Sequence, residues 1–171
     1  MRVAIVGGGM AGLTLARGLA HRGIEPVVVE RMPATVEIEG PIMLPFQAYD
    51  ALDEIGLLDA LQAEGTEVPP MRDGRPVAIG VGRQVLLERL RQGIDVLFDH
   101  EVIDLLRDGD RMAGVMVRDA DGRREIAADI VVGADGTHSG VRELAEIEAT
   151  LTLSDTAFVG FRSPVRGPEP F

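Results

Sequence analysis

An α/β fold, with a parallel sheet, helices and a three-stranded antiparallel β-meander as one crossover, is the architecture this sequence predicts. Three observations carry it. Residues 2–6 and 26–30 are apolar runs without alternation, as strands buried on both faces require. A glycine turn, Gly7-Gly-Gly9-Met10-Ala11-Gly12, leads from the first run into a helical pattern. Further on, short apolar stretches are separated by Asp-Gly turns, which mark hairpins rather than helices.

The first strand covers residues 2–6 and the first helix 10–22, closed by Gly23. The second strand, 26–30, starts on Pro26, where the missing N–H is tolerated. Residues 31–44 carry Pro33, Gly40 and Pro41, and read as a loop. Helical spacing through Ala48, Leu52, Ile55 and Leu58 predicts a helix over 46–61, interrupted at Gly56. The polar, proline-containing stretch 65–76 reads as an exposed connection. A helix over 83–92 buries Val85, Leu86 and Leu90 and ends on Gly93, and 94–98 is a short strand. The meander comprises 102–106, 112–117 and 125–127, and 129–132 returns to parallel-strand character.

Bulk properties bound the function. The chain has 171 residues, enough for one well-buried core with the start of a second domain. Its 46% hydrophobic and 26% charged residues describe a soluble globular protein. A net charge of −11 argues against nucleic-acid or anionic-membrane partners, since phosphate binding needs a basic surface. No cysteine is present, which excludes disulfides, thiolate nucleophiles and zinc–thiolate sites. Met1 enters the first strand directly, leaving no room for a signal peptide, and no apolar run has the length of a membrane span. A cytoplasmic location is the expectation, and oligomeric state is left open.

The first thirty residues contain every part of a dinucleotide site in order. Gly7 permits the tight turn, and Gly9 lets backbone approach a pyrophosphate at the positive end of the helix. Gly12, with Ala16 one turn on, allows close packing of helix on strand. Glu30 ends the second strand, where its carboxylate can accept both hydroxyls of an adenosine ribose and would repel a 2′-phosphate. FAD or NAD therefore fits better than NADP. A glycine-rich turn in an ordinary α/β protein would leave Glu30 unexplained.

A second motif closes the returning strand: Gly133-Ala-Asp135-Gly136-Thr-His-Ser139-Gly-Val141-Arg142. It is again a strand end feeding a helix start. Asp135 stands at the carboxyl edge of the sheet, where open α/β folds bind ligands, and Ser139 is a candidate helix cap.

Together the two motifs resemble those of the class A flavoprotein monooxygenases, the p-hydroxybenzoate hydroxylase-like family. Gly7-x-Gly9-x-x-Gly12 with Glu30-Arg31 looks like its FAD fingerprint, and Gly133 to Arg142 like its Asp-Gly motif. Residues 40–46 with Leu52 and residues 55–58 resemble the segment passing near the flavin. Arg83-x-x-Leu86-x-x-x-Leu90 resembles the helix whose leading arginine reaches the cofactor, and residues 158–162 the first strand of the substrate domain. The resemblance implies a Rossmann-like FAD-binding domain over residues 1–150 and the start of a substrate domain over 151–171. On this reading the chain is the amino-terminal portion of such an enzyme, stopping before the second FAD motif.

The implied activity is an FAD-dependent monooxygenase. NAD(P)H reduces FAD, and a flavin C4a-hydroperoxide formed with O₂ delivers oxygen to a small organic substrate. The flavin carries that chemistry, so no catalytic side chain is assigned. The cofactor-binding candidates are Gly7, Gly9, Met10, Ala11, Gly12, Glu30, Arg31, Arg83, Asp135, Gly136 and Arg142. Each has a plainer alternative. Met10 is also core filler; Arg83 is also a solvated first-turn residue; Arg142 could pair with Glu143 or Glu146; Arg31 could be merely exposed. Three histidines without ligand-spaced partners predict no metal site. The competing functions are a halogenase or reductase of the same architecture, a non-catalytic nucleotide-binding module and an NAD-dependent dehydrogenase. The dehydrogenase reading accounts for the first thirty residues but not for the meander.

Overall fold

The apolar runs do pair in parallel. A computed structural model describes residues 1–36, 40–68, 77–150, 152 and 155–156. In chain order the elements are β1 (Val3–Val6), α1 (Met10–Ala20), β2 (Pro26–Val29), β3 (Pro41–Pro45), a 3-10 turn (Phe46–Ala48), α2 (Tyr49–Glu54) and α3 (Leu58–Glu64). They continue with β4 (Thr66–Val68), β5 (Ala78–Gly82), α4 (Arg83–Arg91), β6 (Val96–Leu97), β7 (Glu101–Asp108), β8 (Arg111–Asp119), β9 (Gly122–Ala127), β10 (Ile130–Gly133) and α5 (Gly140–Leu144). The central sheet has the order β10-β1-β2-β6, all parallel.

One face of this sheet packs on helices. Val3, Ile5 and Val28 pack with Ala16 of α1, and Leu13 joins a second cluster with α2, α3, β5 and α4. Ile5 and Leu13 are almost wholly buried, and each such side chain stabilises the fold by about 1.5–3 kcal/mol. The acidic residues Asp50, Asp53, Glu54 and Asp59 face solvent, as an amphipathic helix requires. The meander β7-β8-β9 covers the other face, where Leu105, Val115 and Val117 meet Val6 and Val29. It carries the chain from β6 at one edge of the sheet to β10 at the other, the crossover that the Asp-Gly turns predicted.

Two expectations are corrected. Residues 41–44, read as a loop, belong to β3, and residues 66–68, read as an exposed connection, form β4; both pair antiparallel with β5. The prolines misled because Pro41 and Pro45 sit at the ends of an edge strand, where no ladder hydrogen bond is lost. β5 was hidden by Gly80 and Gly82, which break its apolar pattern. The strand expected at 94–98 is confined to Val96–Leu97. The rest of the 65–76 connection (69–76) and the strand expected over 158–162 lie outside the described residues, as does nearly all of 151–171. No helix among the described residues is long and apolar enough to cross a membrane.

Candidate functional site

The register of the parallel sheet brings both glycine turns to one end of it. Val6 pairs with Val29 on one side and with Gly133 on the other. The turns after β1 and β10 are therefore neighbours. Gly7 N–H donates to Val29 O at 2.8 Å and Ala134 N–H to Val6 O at 2.7 Å. A Cβ on Gly7 would lie 2.4 Å from Ala134 O, and Gly7 has φ +111°, so a side chain is excluded twice over. A Cβ on Gly12 would lie 1.9 Å from Gly7 O, the close helix–strand approach expected of that position.

Between the turns lies a crevice of about 500 Å³. Of the predicted residues, Gly7, Gly9, Glu30, Arg31, Asp135 and Gly136 line it. Gly9 and Gly136 present bare backbone: a Cβ on either would meet nothing within 4 Å. Gly9 caps α1 without a side-chain hydrogen bond, and the first turn holds no acidic residue, so no side chain of the helix itself covers its positive end.

Glu30 is more than a free acceptor. Its Oε2 accepts Gly8 N–H at 2.6 Å and its Oε1 accepts Met32 N–H at 2.8 Å. The carboxylate thereby fastens the first turn to the segment after β2, and its remaining lone pairs are available for ribose hydroxyls. Asp135 braces the second turn. Its Oδ1 accepts Ser139 Oγ–H at 2.6 Å and its Oδ2 accepts Val141 N–H at 3.1 Å, while Ser139 Oγ caps α5 by accepting Arg142 N–H at 3.0 Å. Burial pushes the Asp135 carboxyl up, but the donors from Ser139, Val141 and Gly140 outweigh it and hold it below the ordinary carboxylate value.

The other predicted residues lie elsewhere. Met10 packs against the helical core and Ala11 is exposed on the first turn of α1. Arg142 Nη2 donates to Thr137 O at 3.0 Å, and the side chain forms no ion pair with Glu143 or Glu146. Arg83 starts α4 and its Nε is buried without a partner; Tyr49 Oη is the other such side-chain atom among the described residues. A buried guanidinium N–H without an acceptor is costly, and a bound group with acceptor atoms would relieve it. Uncovered backbone at two turns and a helix start with no side-chain cap fit a polyanionic, acceptor-rich group such as FAD; Arg83, outside the crevice lining, is a separate unmet donor.

The comparison with known proteins agrees. Residues 1–75 and 81–166 match the family described as FAD binding domain. The chain belongs to that family. It is similar to a 3-amino-4-hydroxybenzoate 2-monooxygenase of Streptomyces platensis, 34% identical over 82% of this chain and 41% of the relative. It is also similar to the chloroplastic zeaxanthin epoxidase of Oryza sativa subsp. japonica, 29% identical over 93% of this chain and 28% of the relative. Among solved structures, an anhydrotetracycline hydroxylase from Streptomyces rimosus superposes with TM-score 0.71 at 28% identity, over 86% of this chain and 34% of that one. The chain thus spans well under half the length of these relatives.

Met32, His100, Glu101, His138 and Glu143 line the crevice and escaped the sequence reading, as did Gly8, whose N–H holds Glu30. Gly8 was recoverable, because pairing Val6 with Val29 sets the residues after each strand side by side. His100 was not, since its place depends on how the meander folds back over the sheet.

Proposed function

We propose that this chain is the FAD-holding unit of a flavin-dependent monooxygenase that hydroxylates a small organic substrate with NAD(P)H as reductant. The observation that carries the reading is the convergence of Gly9, Glu30 and Gly136 on one crevice. Bound FAD supplies the redox chemistry. The chain supplies placement: Gly9 and the α1 N-terminus receive the pyrophosphate, Glu30 the adenosine ribose, and Gly136 gives close backbone approach beside Asp135. Arg83 supplies a donor towards the flavin side, and Arg142 assists the nicotinamide cofactor. Hydroxylation, rather than halogenation or reduction, is supported by the names of the relatives, which include monooxygenases and hydroxylases.

Titration of FAD into the purified protein, followed by flavin fluorescence, tests the reading. One FAD per chain is expected, and Glu30→Arg should weaken binding about tenfold or more by removing the ribose acceptor. Oxygen uptake with NAD(P)H and an aromatic substrate then tests the reaction class. A protein that takes up NADH but not FAD would overturn the assignment in favour of a dehydrogenase.

A further inference from the structure

Arg17 stands about two turns into α1, the helix whose start faces the crevice, and its half-buried side chain reaches two other helices. Nε donates to Ile55 O, the C-cap of α2, at 2.9 Å. Nη1 donates to Arg89 O at 3.1 Å and to Gln92 O at 3.2 Å, in the last turn and at the C-cap of α4. The last carbonyls of a helix have no helical donors of their own. One guanidinium supplies donors to both helices, and its charge meets both negative ends.

α1 and α4 each return the chain to a strand of the same parallel sheet, α1 to β2 and α4 to β6. They therefore run in the same direction, with Gly9 heading one and Arg83 the other at the same end. Leu13 of α1 packs in one cluster with Leu86 and Leu90 of α4. That contact sets how closely the helices lie, but apolar burial makes little directional demand along their length. Hydrogen bonds have angular limits, so the Arg17 fork fixes where α4 stands along α1. The start of α4 is tied separately, by Arg83 N–H to Gly40 O at 2.8 Å.

We propose that Arg17 is a positioning residue for the cofactor site: it sets the place of α4 along α1, and through α4 the place of the Arg83 side chain. Arg83 Nε, buried without a partner, is thereby held in one frame with the bare backbone of Gly9. Arg17 does not line the crevice, so its action runs through α4 alone. The inference rests on the FAD reading above. Lysine cannot take over the task, because a single ammonium lacks the planar fork that spans carbonyls on two helices.

Two measurements test the proposal on the intact chain. Arg17→Lys keeps a cation at the helix ends and loses the fork. Calorimetric titration should show FAD affinity down about fivefold to tenfold and ADP affinity changed by less than about twofold, because ADP lacks the part that Arg83 meets. Arg83→Gln should lower FAD affinity by a similar factor, and the double variant should lose no more than either single one. Equal losses for FAD and ADP, or losses that multiply in the double variant, overturn the proposal. Hydrogen exchange of Arg83 Nε–H, read by NMR in the cofactor-free protein, tests the tie without FAD. Exchange should quicken about tenfold or more in Arg17→Lys, and an unchanged rate also overturns the proposal. If FAD fails to bind the unaltered chain, the FAD reading falls, and the exchange rate alone decides the tie.

Discussion

The two glycine turns do the same work by different means. The first, residues 7–12, is shaped by the absence of side chains: Gly7 and Gly12 stand where a Cβ would collide with backbone. Its side-chain fastening comes from outside, through Glu30. The second, residues 133–142, is shaped from within, by Asp135 bonded to Ser139 and Val141 six residues or fewer away. Steric exclusion fixes one turn and a local hydrogen-bond network the other. They are neighbours only because β1 lies between β2 and β10.

That difference predicts different failures. Gly12→Ala should have the largest effect, since its Cβ would stand 1.9 Å from a backbone oxygen that has nowhere to move. A loss of about 3 kcal/mol or more is expected in urea unfolding; an unchanged midpoint would remove the packing argument. Asp135→Asn should cost about 1–2 kcal/mol at neutral pH, because an amide that keeps its oxygen on Val141 N–H turns its NH₂ to Ser139 Oγ, and the Ser139 hydroxyl loses its charged acceptor. The carboxyl is held below its ordinary value in the folded chain. Its stabilisation is therefore present above the unfolded-state value of about 3.9 and lost as pH falls through the lower folded value. Asn at this position should flatten the acid end of the stability–pH curve. Gly136→Ala, at φ +88° in open space, should cost about 1 kcal/mol through backbone strain alone. Gly9→Val should be smallest in stability, within about 0.5 kcal/mol, because Gly9 has φ −79° and nothing nearby. It should nevertheless abolish FAD binding. A destabilised Gly9→Val chain would show that the first turn is packed rather than open.

The two turns also differ in how legibly they are written in the sequence. The first was readable in large part, because Gly7 answers a turn with φ +111°, Gly12 a close helix–strand approach, and Glu30 follows the second strand directly. The second showed its acid and its cap, but not that Asp135 spends its oxygens on Ser139 and Val141. The Asp-Gly turns gave the meander, since hairpin chemistry is local. The β3-β5-β4 sheet was illegible: its strands are punctuated by Pro41, Pro45, Gly80 and Gly82, and only pairing between distant segments overrides those signals. His100 and Glu101 were beyond reach for the same reason, as tertiary packing alone brings them to the crevice.

The central claim is that both turns hold one FAD. Backbone amide NMR during an FAD titration tests it most directly. The account predicts that the Gly9 and Gly136 amides shift together and saturate at one equivalent. Response of one turn while the other stays silent through saturation would contradict it.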